Sequence, residues 1–310
     1  PHRANEILRF VEGGLQDISV SRAKVKWGIP VPGDDSHTVY VWFDALLNYL
    51  SGPWPAEAHI VGKEIYRFHA VIWPAMLMAA GEEPPKCVFA HGWLLVGGEK
   101  MSKTRLNQIA PADLIATFGV DGFRHHLLRD QAFGPDGDFS YEAMLARYNA
   151  DLANNFGNLA NRVLTMASNY LGGISPDTRE DGRLMEHATK AAEELDTAMA
   201  ALDFSGGFSA VWGLIHETNA FIEDRRPWAL HKEGQTSEVA GILGDCLEVL
   251  RIVAVLASPL IPSACAELWR RLGLPGRPEE QRLPDVARWG QMPAGLLLDR
   301  GAPLFPRLES

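Results

Sequence analysis

Cysteine is scarce. The chain of 310 residues has three, Cys87, Cys246 and Cys265, far apart and never as a Cys-x-x-Cys pair. Neither a disulfide framework nor a zinc knuckle can be built from that set, no resident metal site is expected, and the usage fits a reducing cytoplasm. No run of about 18 uncharged apolar residues occurs, so nothing in the sequence reads as a membrane-spanning helix. The opening Pro1-His-Arg-Ala-Asn-Glu6 lacks the apolar stretch of a secretory signal. It also lacks an initiator methionine, as a fragment or a processed product would. Positive charge is in deficit too: 29 Lys and Arg against 39 Asp and Glu leave a net charge of −10. Any nucleic acid must therefore be met by local basic and aromatic patches, because the field of the whole molecule repels it.

What is present is apolar mass and a change of period. Hydrophobic residues make up 46% of the chain, enough for two cores, since single cores rarely grow past roughly 250 to 300 residues. Residues 5–13 read as a helix end closed by Gly13-Gly14. Ile18–Ser21 alternates like a short strand, Trp27–Gly33 is a stiff turn, and Thr38–Phe43 is a β-rich run predicted as a buried strand. Ala58–Gly62 and Lys86–Ala90 predict two more strands; between them Lys63 and Glu64 open a helix with Ile65, Phe68, His69, Ile72, Trp73, Met76 and Leu77 at helical spacing. Strands alternating with helices predict a parallel sheet, and a strand–glycine–helix junction such as Gly62 is where such sheets place ligands.

From Pro111 onward the period is helical. Short helices are expected over 112–118 and 122–130, a loop over Phe133–Asp138, and a long helix over about 141–170 with the apolar stripe Tyr148, Leu152, Phe156, Leu159, Val163 and Met166. Further helices near 182–203, 206–225 and 236–257 complete a bundle; Pro259 and Pro262 break the last before a short helix to Leu272, and the Pro-rich remainder is expected to wrap the surface.

Between the two halves lies Gly97-Gly-Glu-Lys-Met-Ser-Lys-Thr-Arg-Leu106. Two glycines free the backbone ahead of a knot of cations and hydroxyls, which suits a polyanion passing through a transient state. A solvated surface loop is the bland alternative. Lys100-Met-Ser-Lys-Thr104 resembles the Lys-Met-Ser-Lys-Ser signature of class I aminoacyl-tRNA synthetases, with Thr104 in place of serine.

The resemblance narrows further along the chain. Tyr40-Val-Trp-Phe-Asp-Ala-Leu46, His59-Ile-Val-Gly-Lys-Glu-Ile-Tyr-Arg-Phe-His-Ala-Val-Ile-Trp-Pro-Ala75 and Phe89-Ala-His-Gly-Trp93 are similar to successive blocks of bacterial methionyl-tRNA synthetases. The resemblance implies α/β followed by all-α: the later half of a Rossmann-like parallel sheet (1–105), a stem-contact connecting region (106–140), and an α-helical anticodon-binding domain with a surface tail (141–310). The His-Ile-Gly-His signature of the family is not in this stretch and by analogy belongs to an earlier segment.

By the same resemblance Trp42, Ala45, Tyr49, Ile65, Phe68, His69 and Trp73 line a methionine pocket. Gly62, Glu64, Leu94, Lys100, Ser102 and Lys103 hold ATP, with Lys103 and Lys100 as the catalytic cations, Lys63 close to the phosphates, and Mg²⁺ shielding the rest. Glu64 stands where the family commonly has aspartate.

A second set lies on the long helix. Asn154, Asn158 and Arg162 recur every four residues and so form one polar stripe, although asparagine is a poor helix former. Arg225-Arg-Pro-Trp228 follows a helix, and Pro227 stiffens the chain where the Trp228 indole can stack on an unpaired base. A hydrated outer face is the alternative from pattern alone; the resemblance implies that Asn154, Asn158, Arg162, Pro227 and Trp228 read the anticodon of tRNA(Met), the initiator included. The whole is then a methionine–tRNA ligase, monomeric and cytoplasmic, with methionine, ATP and tRNA as partners and no membrane. A sister class I synthetase for leucine, isoleucine, valine or cysteine, or a tRNA-binding fragment without catalysis of its own, are the competing readings.

Overall fold

The computed structural model describes residues 2–100 and 109–309. Two compact units are formed, one from Pro1–Trp93 with Gly134–Asp136 and the other from Leu94–Phe133 with Gly137–Ser310. As expected, the architecture is α/β followed by all-α.

The first unit opens with α1 (His2–Glu12), closed where the Gly13 and Gly14 amides donate back to the Arg9 and Val11 carbonyls at 3.0 and 3.1 Å. A small antiparallel sheet follows, with β3 (Asp34–Val39) between β1 (Ser21–Arg22) and β2 (Pro30–Val31). Two expectations are corrected here. The strand expected over Ile18–Ser21 forms at Ser21–Arg22, and the run Thr38–Phe43 is not one strand: pairing stops where Val39 faces Ser21, and α2 (Val41–Leu47) begins two residues later. Tyr40 is the extended hinge, at φ −66° and ψ 125°. A helix carries Leu46 into full burial against Trp73 and Leu77 and lays Trp42 on Phe68, so tertiary packing overrides the β preference of Val41, Trp42 and Phe43.

β4 (His59–Gly62) and β5 (Val88–His91) pair in parallel, from His59 opposite Val88 to Gly62 opposite His91. Parallel strands need a crossover. Here it is a π-helical turn (Phe68–Ile72) running into α3 (Trp73–Ala80), which ends at Gly81 with a left-handed φ of 78°. Lys63 and Glu64 do not open this helix. The Lys63 amide still donates to the His91 carbonyl at 2.9 Å, extending the ladder, and the Ile65 amide returns to the Gly62 carbonyl at 3.1 Å, so the chain must turn before it can coil. Gly92 follows β5 in a place no side chain can enter, since a Cβ there would lie 2.2 Å from the Pro135 carbonyl oxygen.

In the second unit β6 (Leu94–Val96) is flanked by β7 (Glu99–Lys100), antiparallel, and β8 (Gly137–Phe139), parallel. The hairpin turns through Gly97 and Gly98, at φ 61° and 76°, the pair of left-handed positions that a tight two-residue turn demands. The loop expected over Phe133–Asp138 therefore gives its last two residues to a strand. α4 (Pro111–His125) breaks at Gly119 and continues through a π-helical turn to Asp130, reproducing the two short helices expected.

The expected long helix is α5 (Tyr141–Arg147), a π-helical stretch (Tyr148–Gly157) and α6 (Asn158–Leu171) in succession, and its six-residue apolar stripe is wholly buried. α7 (Gly182–Ala200), α8 (Phe204–Arg225), α9 (Pro227–Lys232), α10 (Thr236–Leu256) and α11 (Pro262–Arg271) complete the bundle. Aspartates start two of them: Asp181 accepts from the Arg183 and Leu184 amides, Asp203 from that of Gly206. Another, Asp121 of α4, accepts from the Ser263 and Ala264 amides at 3.2 and 2.7 Å and so fixes the start of α11.

α10 is apolar on every side and buried from Gly241 to Leu256. Of its three buried charged residues, Asp245 accepts from the Arg179 and Glu180 amides, and the other two pair with each other. Arg251 donates to both Glu248 oxygens at 2.8 and 2.7 Å, Glu248 also accepts from the Gln291 and Met292 amides, and Arg251 reaches the Arg288 carbonyl at 3.0 Å. The tail beyond Gly273 is thereby stitched to the bundle and sinks Val286, Met292, Leu298 and Phe305 into the core, a correction to the expected surface wrap. Among the described residues no helix is long and apolar enough to cross a membrane.

Glu248→Ala should destabilise the second unit by about 3 to 5 kcal/mol, because it strands a buried guanidinium, whereas replacing Glu248 and Arg251 together by Met and Leu should cost far less. Urea unfolding followed by far-UV circular dichroism measures both.

Candidate functional site

The first unit gathers aromatic side chains at the junction after β4. His59 and Val61 alternate with exposed Ile60 and face inward, so β4 carries His59 into the aromatic cluster, 4.4 Å from the Tyr49 ring and 5.7 Å from His69. α2 supplies Trp42 and Ala45, the 3₁₀ turn that follows it (Asn48–Ser51) supplies Tyr49, and the π-helical turn supplies Phe68 and His69. His69 is 1% exposed. Its Nδ1 lies 3.0 Å from the Ile65 carbonyl, which can only accept, so Nδ1 donates, and Nε2 shares a hydrogen bond with the Tyr49 hydroxyl at 2.9 Å. Trp42 stacks on Phe68 with centroids 4.1 Å apart and planes at 11°, and its edge meets His69 at 6.1 Å.

Behind these, Trp73 is sealed in the core with Leu46 and Leu77 and donates from Nε1 to His59 Nε2 at 3.3 Å. Burial, with the neighbouring His69, holds the His59 pKa below its ordinary value. Trp54 closes the set, 5.5 Å from Trp73 and 6.0 Å from His59. All seven residues expected to form the apolar pocket belong to this one unit. His59 and Trp54 were missed; the period-two burial of β4 was the available signal for His59, and nothing local marks Trp54.

At the mouth of the junction the Glu64 carboxylate folds back over Gly62, where a Cβ would stand 2.8 Å from its Oε2. Lys63 is held otherwise than a free phosphate ligand: Nζ donates to both Asp136 oxygens at 2.6 Å and lies 3.9 Å over the Trp93 ring, while the Trp93 amide also donates to Asp136 at 2.9 Å. That hydrogen bond from Lys63, helped by the Trp93 amide, lowers the Asp136 pKa.

Leu94 and Lys100 belong to the second unit, on β6 and β7, and Lys100 is exposed opposite Leu95. The Gly98 amide donates to Asp138 at 3.1 Å and steadies the turn that precedes Lys100. Ser102 and Lys103, like Met101 and Thr104, lie outside the described residues.

The second unit holds an open groove of about 460 Å³ between the α5–α6 rod and α8. Asn154 and Asn158 are exposed along it, and Arg162 ends the row, donating to Glu223 at 2.7 Å with its guanidinium 5.9 Å from the Trp228 ring. Trp228 is half-buried at the start of α9, where Arg226 takes a left-handed φ of 49° and Pro227 is buried as the first helical residue. The opposite wall, His216, Asn219 and Glu223, was not anticipated, although these are polar positions at steps of three and four on α8.

Asn155 ties the walls together. It is buried, its Nδ2 lies 2.9 Å from His216 Nε2, and its Oδ1 accepts from Asn219 at 3.1 Å. Beneath the groove Asp151 pairs with Arg129, and His125 Nε2 lies 3.5 Å from it, both against Trp212. Burial pushes the His125 pKa below its ordinary value. Burial alone would raise that of Asp151, but the hydrogen bond with His125 and the charge of Arg129 outweigh it and hold it down.

Comparison with known proteins matches residues 1–57 and 53–164 to the family of class I tRNA synthetases (M), and residues 173–309 to the anticodon binding domain of methionyl tRNA ligase. Methionine–tRNA ligase of Streptomyces coelicolor is 46% identical over 98% of this chain and 61% of its own length; that of Thermotoga maritima is 39% identical over 99% and 51%. Among solved structures, Mycobacterium tuberculosis methionyl-tRNA synthetase in complex with methionyl-adenylate superposes with a TM-score of 0.92 at 38% identity, covering 99% of this chain and 63% of that one. Its apo form gives 0.89 at 36%, over 100% of this chain and 64% of the other. The chain thus spans between half and two thirds of the proteins it matches.

Because the folded-state pKa of both His125 and Asp151 is depressed, the stability they contribute is full above their unfolded values, 6.5 and 3.8, and is lost as pH falls below each in turn. Thermal melts between pH 7.5 and 5.5, chosen at about one unit to either side of an ordinary histidine, should show stability falling with acid, and His125→Gln should flatten that slope. An unaltered slope would exclude His125 as its source.

Proposed function

Given that the chain belongs to the class I methionyl-tRNA synthetase family, we propose that it is the part of a methionine–tRNA ligase that receives the methionine side chain and reads the tRNA anticodon. The observation that carries this is the cluster of aromatic rings around His69. A thioether is polarizable and gains roughly 0.3 to 1.5 kcal/mol per contact with a ring edge; Trp42, Tyr49, Phe68 and His69 offer several such edges beside a strand–turn–helix junction. Ala45 leaves room on the α2 side, Ile65 closes the other, and Trp73 backs the wall.

In the reaction the methionine carboxylate attacks the α-phosphorus of ATP, forming methionyl-adenylate and releasing pyrophosphate; the methionyl group then passes to the terminal ribose of tRNA(Met). No protein nucleophile is needed, so catalysis is placement and charge stabilisation. Gly62, Glu64 and Leu94 are assigned to adenosine, and Lys100, Ser102 and Lys103 to the phosphates, Lys103 carrying most of the charge that develops on pyrophosphate. Mg²⁺ held by the triphosphate itself would shield the phosphate charge that the lysines leave; among the described residues no group of three or more His, Cys, Asp or Glu side chains could hold a metal ion. Asn154, Asn158, Arg162, Pro227 and Trp228 take the anticodon of tRNA(Met). The division by role is 1–105, 106–140 and 141–310, in a cytoplasmic monomer.

Amino-acid-dependent pyrophosphate exchange by the whole protein tests the assignment against leucine, isoleucine, valine and cysteine. Lys103→Ala should slow exchange by roughly 10²-fold or more while methionine affinity stays, the pattern of a contact made in the transition state. His69→Ala should weaken discrimination between methionine and leucine by about 1 to 3 kcal/mol; an unchanged ratio would make His69 a core residue only.

A further inference from the structure

The segment Gly134–Asp136 belongs to the first unit although the residues on either side of it belong to the second. Its contacts are with the residues that follow β4 and β5, at the carboxyl end where a parallel sheet receives its ligand. Asp136 holds both strand exits at once. It accepts from the Lys63 side chain, with Nζ 2.6 Å from each oxygen, and from the Trp93 backbone amide at 2.9 Å. The ammonium is capped by the Trp93 ring 3.9 Å away, and the Lys63 side chain is 19% exposed. Beside the carboxylate the Pro135 carbonyl sits so close to Gly92 that no Cβ fits there, which leaves the segment no slack.

We propose that Asp136 is a positioning residue for ATP: by holding Lys63 and Trp93 together it fixes the turn Gly62–Glu64 before the nucleotide arrives. This rests on the reading that Gly62 and Glu64 receive adenosine. Lys63 stands between those two residues, and its amide is bonded to the His91 carbonyl at 2.9 Å. Anchoring its side chain as well pins the turn through both backbone and side chain. The ammonium is neutralised by the carboxylate, so it is spent on the turn and not on the phosphates. A pair used in this way has no charge to offer the reacting atoms. Its loss loosens the turn equally for bound ATP and for the transition state, so KM for ATP rises while kcat stays.

The test is methionine-dependent ATP–pyrophosphate exchange by the whole protein, with ATP and methionine varied in turn. Asp136→Asn keeps the shape and loses the charge; it should raise KM for ATP by about tenfold, the scale of one hydrogen bond to a charged group, with kcat and KM for methionine within about twofold of the parent. Lys63→Met should do the same, and the double variant should be no worse than either single one, because the two side chains act as a unit. Lys63→Arg, whose guanidinium can grip a carboxylate through two parallel bonds, should recover most of the affinity. If Asp136→Asn binds ATP as tightly as the parent or tighter while Lys63→Met loses kcat, Lys63 serves the phosphates and the positioning role is refuted. If the variants lower the thermal melt but leave KM for ATP alone, the pair only braces the fold, and the role is refuted again. Should Asp136→Asn not fold, Lys63→Met against Lys63→Arg decides. A parent protein whose exchange does not depend on methionine would overturn the reading of the site itself, and the role of Asp136 with it.

Discussion

A helix that is apolar all the way round exists only if chain surrounds it. α10 is such a helix, and α6, α7, α8, α9 and α11 all lie against it. Glu248 and Arg251, two of its three buried charged residues, would be expensive alone. Paired with each other, and with the Gln291 and Met292 amides and the Arg288 carbonyl, they turn that cost into a fixed position for the tail. The bundle cannot slide along α10 without breaking these bonds, and the helices that wall the polar groove inherit its position.

The groove is a consequence of two apolar faces being buried. The α5–α6 rod turns Tyr148, Leu152, Phe156, Leu159, Val163 and Met166 inward, which leaves Asn154, Asn158 and Arg162 outward; α8 buries Val211, Trp212, Ile215 and Phe221 and leaves His216, Asn219 and Glu223 toward the same space. Asn155 crosslinks the rows, and the Asp151, His125 and Arg129 cluster supports them from below. Asn155, Arg162, His216 and Asn219 are held by these bonds, and side chains held this way have little freedom left to lose.

The aromatic cluster obeys the same rule on a smaller scale. Its rings are oriented by hydrogen bonds as well as by packing: Tyr49 to His69, His69 to the Ile65 carbonyl, Trp73 to His59. The π-helical turn at Phe68–Ile72 is the local deformation that aims Phe68 and His69 together, and such turns recur at functional sites.

Periodicity and turn chemistry in the sequence determined the class of fold, the parallel crossover at Gly62, and the bundle with its stripe on the long helix, because these depend on spacing along a chain; the residues of the two candidate sites were named by resemblance to a family and not by spacing. Four things were decided by tertiary structure alone. Val41, Trp42 and Phe43 became helical because Leu46 and Trp42 found partners on α3 and the turn before it. Lys63 paired with Asp136, a residue 73 positions away. The far wall of the groove appeared only when α8 met α6, and the tail sank inward because Glu248 and Arg251 needed its backbone. In each case the deciding contact joins residues remote in sequence, and spacing along one segment carries no information about what another segment will bring to it.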